Sequence, residues 1–237
     1  MDQVTPLRRI PLQCTMNTRD LGGYPASNGA VTQYGRVFRS DVPELPTPGD
    51  IAWLEKLNIR TVIDLRAPDE VLRKPSGFSG MSGVAYWNLP FSQGNQIAMS
   101  SSEMLSIYAE LLADHENIRR VLTIIADAPG AVLYHCAAGK DRTGLMSALL
   151  LLLAGVSISD VLADYQVSYT YIRKWVRDKI LRNEPGRDPK SVRSDMETLE
   201  TTLDRLFGQY PTARSYLSAC GIPPEILDRL CTKLICG

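Results

Sequence analysis

A short loop joins a strand-like run to an apolar helical run in the middle of the chain, and this junction constrains the fold most. Ala131 to His135 follows the Pro129-Gly130 turn and is apolar along its length, which is typical of a buried strand. Arg142 to Leu153 is apolar and long enough for a buried helix. A strand that passes directly into such a helix indicates a parallel sheet covered by helices.

The rest of the chain repeats this alternation. Thr47 caps a helix that begins at Pro48 and runs to about Leu57. The pattern predicts strands at 61–65 and 84–89, helices at 102–113 and 116–126, and a β-hairpin or strand pair at 30–38. From Ser159 onward it is helical, apart from a Pro- and Gly-rich break at Glu184 to Pro189. We therefore predict one α/β domain over residues 1–237. It has a central, mostly parallel β-sheet flanked by helices and a helical C-terminal part from about residue 157.

Composition excludes several classes of protein. The 26 basic residues balance 26 acidic ones, so net charge predicts neither a nucleic-acid partner nor a charged membrane surface. The longest apolar run, Leu145 to Val156, is shorter than the roughly 20 residues of a membrane-spanning helix. The N-terminus lacks the pattern of a signal peptide. The five cysteines are widely spread, which fits a reducing cytoplasm and predicts neither a metal site nor a disulfide scaffold.

The loop itself has the composition of an anion site. Ala137, Ala138 and Gly139 are small enough for the backbone to curl around a ligand, and backbone amides at a helix N-terminus favour negative charge. Lys140 adds a positive charge, and Arg142 adds a planar fork that matches phosphate oxygens. We therefore expect these residues to bind a phosphate group.

Cys136 is the candidate nucleophile. The amides and Arg142 favour its thiolate form, which is the reactive form of cysteine. Thr143 is expected to donate its hydroxyl proton in a hydrogen bond to the Cys136 sulfur when the thiolate leaves. His135 is expected to fix the loop through hydrogen bonds to backbone and not to act as a base. The alternative for Cys136 is a small buried apolar residue, which its neighbours disfavour.

The string from His135 to Gly144 resembles the active-site signature of the protein tyrosine phosphatase superfamily, His-Cys-five residues-Arg. Its Gly-Lys-Asp-Arg-Thr-Gly form is similar to that of bacterial atypical tyrosine and lipid phosphatases. The segments similar to other blocks of that family are Asn17 to Gly23, Gly35 to Ser40, Ile63 to Arg66 with Glu70, and Asp164-Tyr165. The resemblance implies a single phosphatase domain that needs no cofactor or metal. It also implies a phosphocysteine intermediate and a phosphorylated protein or phosphoinositide as substrate.

The general acid is less well defined by the sequence. Many relatives carry it in a Trp-Pro-Asp loop, whereas the comparable stretch here, Trp87 to Phe91, has no carboxylate. Asp141, inside the loop, is the first candidate, and its alternative role is to stabilise the helix dipole. Asp64, at the end of a predicted strand, is the second candidate, and its alternative role is to hold Arg66 or the loop.

Two basic residues bear on the substrate. In the resembling family a lysine at the position of Lys140, on the rim of the loop, goes with multiply charged substrates such as phosphoinositides. Arg39 lies in a family block and is expected either to approach the bound phosphate or, with Arg19 and Asn17, to hold the N-terminal loop.

Two other functions remain open from the sequence. A pseudophosphatase would bind phosphorylated partners without turnover, and the missing loop acid leaves room for it. A sulfurtransferase or arsenate reductase also uses a cysteine in an anion-binding loop, but Arg142 and Thr143 disfavour that reading.

Overall fold

Strand Ala131–His135 and helix Asp141–Leu153 enclose the loop of Cys136 in the computed structural model, which describes residues 7–91, 100–183 and 192–236. Helix Pro48–Lys56 begins at the cap that the sequence predicts, where the Thr47 hydroxyl and the Asp50 carboxylate each bind the other's backbone amide. The predicted break at 184–189 lies outside the described residues.

The strands of the described residues form one five-stranded sheet and one two-stranded sheet. They are Arg19–Asp20 (β1), Val31–Thr32 (β2), Val37–Ser40 (β3), Ile59–Asp64 (β4), Ala85–Asn88 (β5), Ala131–His135 (β6) and Ile235–Cys236 (β7). The larger sheet has the order β1-β3-β6-β4-β5, and all its pairs are parallel except β1 with β3. The predicted α/β fold with a mostly parallel sheet is therefore confirmed.

The helices flank this sheet and make up most of the C-terminal part. They are Pro48–Lys56 (α1), Pro68–Arg73 (α2), Ser101–Ala113 (α3), His115–Asp127 (α4), Asp141–Leu153 (α5), Ile158–Trp175 (α6), Met196–Phe207 (α7), Ala213–Ala219 (α8) and Pro224–Leu234 (α9). A π-helical turn, Val176–Leu181, extends α6. The predicted helix bounds agree with these to about two residues.

The sheet is apolar on both faces because each is covered. Along β6, Val132 and Tyr134 pack into the larger core with α3 to α9, whereas Ala131 and Leu133 pack into a smaller core with α1 and the N-terminal segment. Helix α5 is buried along nearly its whole length. In the described part of the chain, no helix is both long and apolar enough to cross a membrane.

The predicted hairpin at 30–38 is wrong. Both strands form, but β3 joins the central sheet between β1 and β6, and β2 pairs with β7 at the other end of the chain. Gly35, at a φ of 74°, turns the backbone between them. The two strands therefore belong to different sheets.

Candidate active site

The loop of Cys136 lies where the parallel strands end. His135, the last residue of β6, is in register with Ser40 at the end of β3 and with Asp64 at the end of β4. Ligands of parallel sheets gather at this carboxyl edge. Cys136 follows His135 directly and is 2% exposed.

The loop curves around one point because its carbonyl groups are held from outside. Asn17 Nδ2 donates to the carbonyls of Ala138 and Gly139, at 3.1 and 2.9 Å. Arg39 Nη2 donates to the Gly139 carbonyl at 2.8 Å. Because these donors bind the carbonyl oxygens, the N–H groups of the same peptide units point the opposite way.

The amides of this loop are left for a ligand. Those of Ala137, Ala138 and Gly139 meet no acceptor among the described residues. Helix α5 follows directly, and its N-cap, Lys140, supplies no side-chain cap. Gly139 has a φ of 65°, and a Cβ there would lie 2.6 Å from the Asp41 nitrogen, so only glycine fits. The arrangement suits an oxyanion bound by backbone amides and the helix dipole.

Arg142 is held in place by a carboxylate from α2. Its Nη1 and Nη2 lie 2.5 and 2.9 Å from the two carboxylate oxygens of Glu70. Burial alone would lower the pKa of Arg142, but Glu70 and the charge of Cys136 more than offset this and raise it above its ordinary value. Glu70 also accepts from the Ala67 amide, which ties it to the start of α2. The guanidinium is therefore charged and fixed beside the loop.

His135 is neutral and binds on both sides of its ring. Burial lowers its pKa to about 4. Its Nδ1 lies 3.2 Å from the Cys136 carbonyl and its Nε2 3.1 Å from Ser76 Oγ. Because a carbonyl only accepts, we assign the ring proton to Nδ1. His135 then supports the loop backbone without contributing charge.

Asp64 is engaged on both carboxylate oxygens. Arg66 donates to Oδ1 at 2.9 Å and to Oδ2 at 2.6 Å, and the Tyr86 hydroxyl donates to Oδ2 at 2.7 Å. Burial alone would raise the pKa of Asp64, but the hydrogen bonds from Arg66 and Tyr86 hold it below its ordinary value. A buried carboxylate bound in this way is a poor proton donor, so the geometry favours its structural alternative.

Asp141, the first residue of α5, is half-open to solvent, with a side-chain exposure of 31%. Its Oδ1 accepts from the Tyr108 hydroxyl at 2.5 Å and lies 3.2 Å from Lys140 Nζ. Of the two candidate acids, Asp141 is therefore the one that lies next to the loop and has access to solvent.

Lys140 and Arg39 depart from their expected positions. The side chain of Lys140 is buried, and its ammonium donates to the Arg193 carbonyl at 3.0 Å, so it is not on an exposed rim. Arg39 is fully buried and binds Asp164 and the Gly139 carbonyl. Asp164 neutralises its charge behind the Cys136 loop, so Arg39 supports that loop from outside, whereas the sequence predicted contact with the phosphate or with the N-terminal loop.

Thr143 is fully buried, and its Oγ1 has no hydrogen-bond partner in the described part of the chain. The role expected for this hydroxyl, to donate to the Cys136 sulfur when the thiolate leaves, stays a prediction.

Three residues that the sequence analysis did not assign to the site take part in this arrangement. Glu70 holds Arg142, Asp164 holds Arg39, and Tyr108 binds Asp141. Glu70 and Asp164 carried a signal, because each belongs to a segment that resembles a block of the family, although nothing in the sequence placed either residue in the site. No signal in the sequence pointed to Tyr108, because it is one of several apolar residues along an amphipathic helix.

The fold and the loop define a class of proteins that hold an anion against a cysteine at the carboxyl edge of a mostly parallel sheet. A profile of the tyrosine phosphatase family matches residues 10–236, and the chain belongs to that family.

The sequence identity between this chain and individual relatives is low. The protein H16_A0669 of Cupriavidus necator, which carries a provisional name as a tyrosine-protein phosphatase, is 30% identical over 160 residues, or 63% of this chain and 59% of the relative. The triple specificity protein phosphatase PtpB of Mycobacterium tuberculosis is 28% identical over 185 residues, or 63% and 65%. The match thus spans less than two thirds of either relative. A solved structure, P. aeruginosa TpbA in complex with pTyr, has 24% identity, a TM-score of 0.33 and coverage of 58% and 71%.

Proposed function

We propose that the protein is a cysteine-dependent phosphatase that hydrolyses phosphotyrosine in proteins through a phosphocysteine at Cys136. The observation that carries the proposal is the loop after β6. Its carbonyls are bound from outside, its amides are left for an anion, and Cys136 and Arg142 lie at its two ends. Membership of the tyrosine phosphatase family supports the same reaction.

In the first step the Cys136 thiolate attacks phosphorus and the bond from phosphorus to the tyrosine oxygen breaks. The phosphoryl charge is stabilised by the loop amides and by Arg142, which Glu70 holds in position. Asp141 gives its proton to the leaving oxygen, and a phenol is released.

In the second step the Asp141 carboxylate takes a proton from water as the water oxygen attacks the phosphocysteine. The phosphorus–sulfur bond breaks, inorganic phosphate leaves, and the Cys136 thiolate is restored. The Thr143 hydroxyl, buried and without a partner among the described residues, donates to the departing sulfur. A reducing compartment such as the cytoplasm keeps the thiol in its working state.

Phosphoserine, phosphothreonine and phosphoinositides form the wider range that we propose. The name of the M. tuberculosis relative, triple specificity phosphatase, supports this range. Lys140 supports it less than its charge suggests, because its ammonium is bound to the Arg193 carbonyl and to Asp141.

Phosphate release with EDTA present tests the reaction on a phosphotyrosine peptide, a phosphoserine peptide and a phosphoinositide panel. We expect turnover by the wild type and none by Cys136→Ser, whereas Cys231→Ser, which changes a cysteine on α9, should match the wild type. Mass spectrometry of a rapidly quenched reaction should detect a phosphate adduct on Cys136.

Two results would overturn the proposal. Absence of turnover on every substrate, with tight binding of the phosphopeptide, would indicate a pseudophosphatase instead. Turnover that survives in Cys136→Ser would remove the cysteine mechanism.

A further inference from the structure

Two tyrosines from different helices converge on the carboxylate of Asp141. Tyr108 comes from α3 and Tyr165 from α6, and both side chains are buried. The Tyr108 hydroxyl donates to Asp141 Oδ1 at 2.5 Å, and the Tyr165 hydroxyl lies 3.4 Å from the same oxygen. The two hydroxyls are themselves 2.5 Å apart.

The direction of these hydrogen bonds follows from the chemistry of the groups. Burial, and then the charge of Asp141, raises the pKa of both phenols well above the ordinary value, so both keep their protons. If Tyr108 donates to the carboxylate, its own oxygen is left to accept from Tyr165. The result is a chain from Tyr165 to Tyr108 to Asp141, in which each hydrogen bond polarises the next.

The charged groups around the carboxylate come from three elements. Lys140 Nζ, from the loop, lies 3.2 Å from Oδ1, and Arg142 follows Asp141 on α5 and interacts with its charge. Arg39, from β3, acts on the Tyr165 end of the chain. Lys140 and Arg142 are positive and act in the same direction as the two tyrosine donors, because each of them attracts the negative charge of the carboxylate.

We propose that Tyr108 and Tyr165 are positioning residues that hold Asp141 by Oδ1 and thereby direct its transferable proton to Oδ2. The inference rests on the proposed function, in which Asp141 is the general acid. With Oδ1 accepting from Tyr108, a proton added to the carboxyl goes to the other oxygen of this partly exposed side chain.

This arrangement assists the step in which the acid loses its proton. Negative charge then develops on the carboxylate, and the hydrogen bond from Tyr108 strengthens as it does. In the second step the same contacts orient the carboxylate that receives the proton of water. The effect should be largest for substrates whose leaving oxygen needs a proton.

The test compares Tyr108→Phe, Tyr165→Phe and Asp141→Asn with the wild type on two substrates. One is a phosphotyrosine peptide, whose leaving group needs the acid, and the other is an aryl phosphate with a strongly acidic phenol. Tyr216→Phe is the matched control, because it also removes a buried hydroxyl bound to α3, where it donates to the Leu112 carbonyl at 2.6 Å.

We expect Tyr108→Phe to lower kcat on the peptide about tenfold or more and to change the aryl phosphate rate about twofold or less. Tyr165→Phe should act in the same direction more weakly, and Tyr216→Phe should match the wild type. In an Asp141→Asn background, Tyr108→Phe should have no further effect on kcat.

The outcomes separate the two proposals. If Asp141→Asn loses activity on the peptide alone but Tyr108→Phe keeps the wild-type rate on both substrates, the positioning role is wrong and the acid stands. If Tyr108→Phe loses both substrates equally, the tyrosine is structural and the inference also fails. If Asp141→Asn is fully active on the peptide while Cys136→Ser is dead, the acid assignment fails and the inference with it, but the cysteine mechanism remains.

Discussion

At the scale of single residues, the arginine of the loop depends on a partner outside it. Arg142 makes a two-pronged ion pair with Glu70, and this fixes its fork before any phosphate arrives. A guanidinium already in position loses less side-chain entropy on binding than a free one. Glu70 therefore belongs to the site although it has no place in the loop.

Replacing Glu70 by Gln tests this dependence. The neutral amide cannot offer two acceptor oxygens, so we expect kcat on an aryl phosphate to fall roughly ten- to a hundredfold, with a rise in KM. Glu44→Gln is the control, because Glu44 forms an exposed ion pair with Lys74. Steady-state kinetics of the two variants decide the matter, and equal activity in both would show that Arg142 needs no support.

At the scale of elements, helix α6 holds the loop from behind. Its Asp164 binds Arg19 from β1 at 2.8 Å and Arg39 from β3 at 2.5 Å, and all three side chains are buried. Arg39 in turn donates a hydrogen bond to the Gly139 carbonyl. One carboxylate thus joins a helix, two strands and the loop.

Removing that carboxylate leaves two arginines buried with no countercharge. We expect Asp164→Asn to lower the free energy of unfolding by about 3–5 kcal/mol. Asp228→Asn should change it little, because Asp228 pairs with Arg214 in solvent. Urea denaturation followed by circular dichroism measures both. A midpoint for Asp164→Asn equal to that of Asp228→Asn would mean that the buried network contributes no stability.

Elements also mark the limit of prediction from the sequence. The strand β6 and the helix α5 were predictable because their signals are local: an apolar run, then a loop of small residues. The pairing of β2 was not, because its partner β7 lies at the opposite end of the chain and both strands are short. The same limit applies to Asp141 and Tyr108, which are 33 residues apart and meet only through the packing of α3 on α5. Sequence motifs therefore predicted the candidate reactive residues, whereas the contacts that hold these residues in place could be seen only in the folded structure.

At the scale of the whole molecule, several parts of the fold hold the loop while its amides stay open to a ligand. The loop draws support from the N-terminal segment, β3, α2 and α6, while its amides face no protein acceptor among the described residues. An oxyanion that fills the loop would link these parts further. It would bind the folded chain and not the unfolded one, so it should stabilise the whole protein.

Tungstate serves as a stable tetrahedral oxyanion for this measurement. At about 100 times its Kd it should add about 2.7 kcal/mol to the free energy of unfolding, or about 5–10 °C in Tm for a chain of this size. Cys136→Ser should keep most of this shift, because serine leaves the amides and Arg142 in place. Arg142→Ala should lose it, whereas Arg229→Ala, which changes an exposed arginine on α9, should keep it in full. An equal rise in Tm for Arg142→Ala and the wild type would place the anion elsewhere and would remove the loop as the phosphate site.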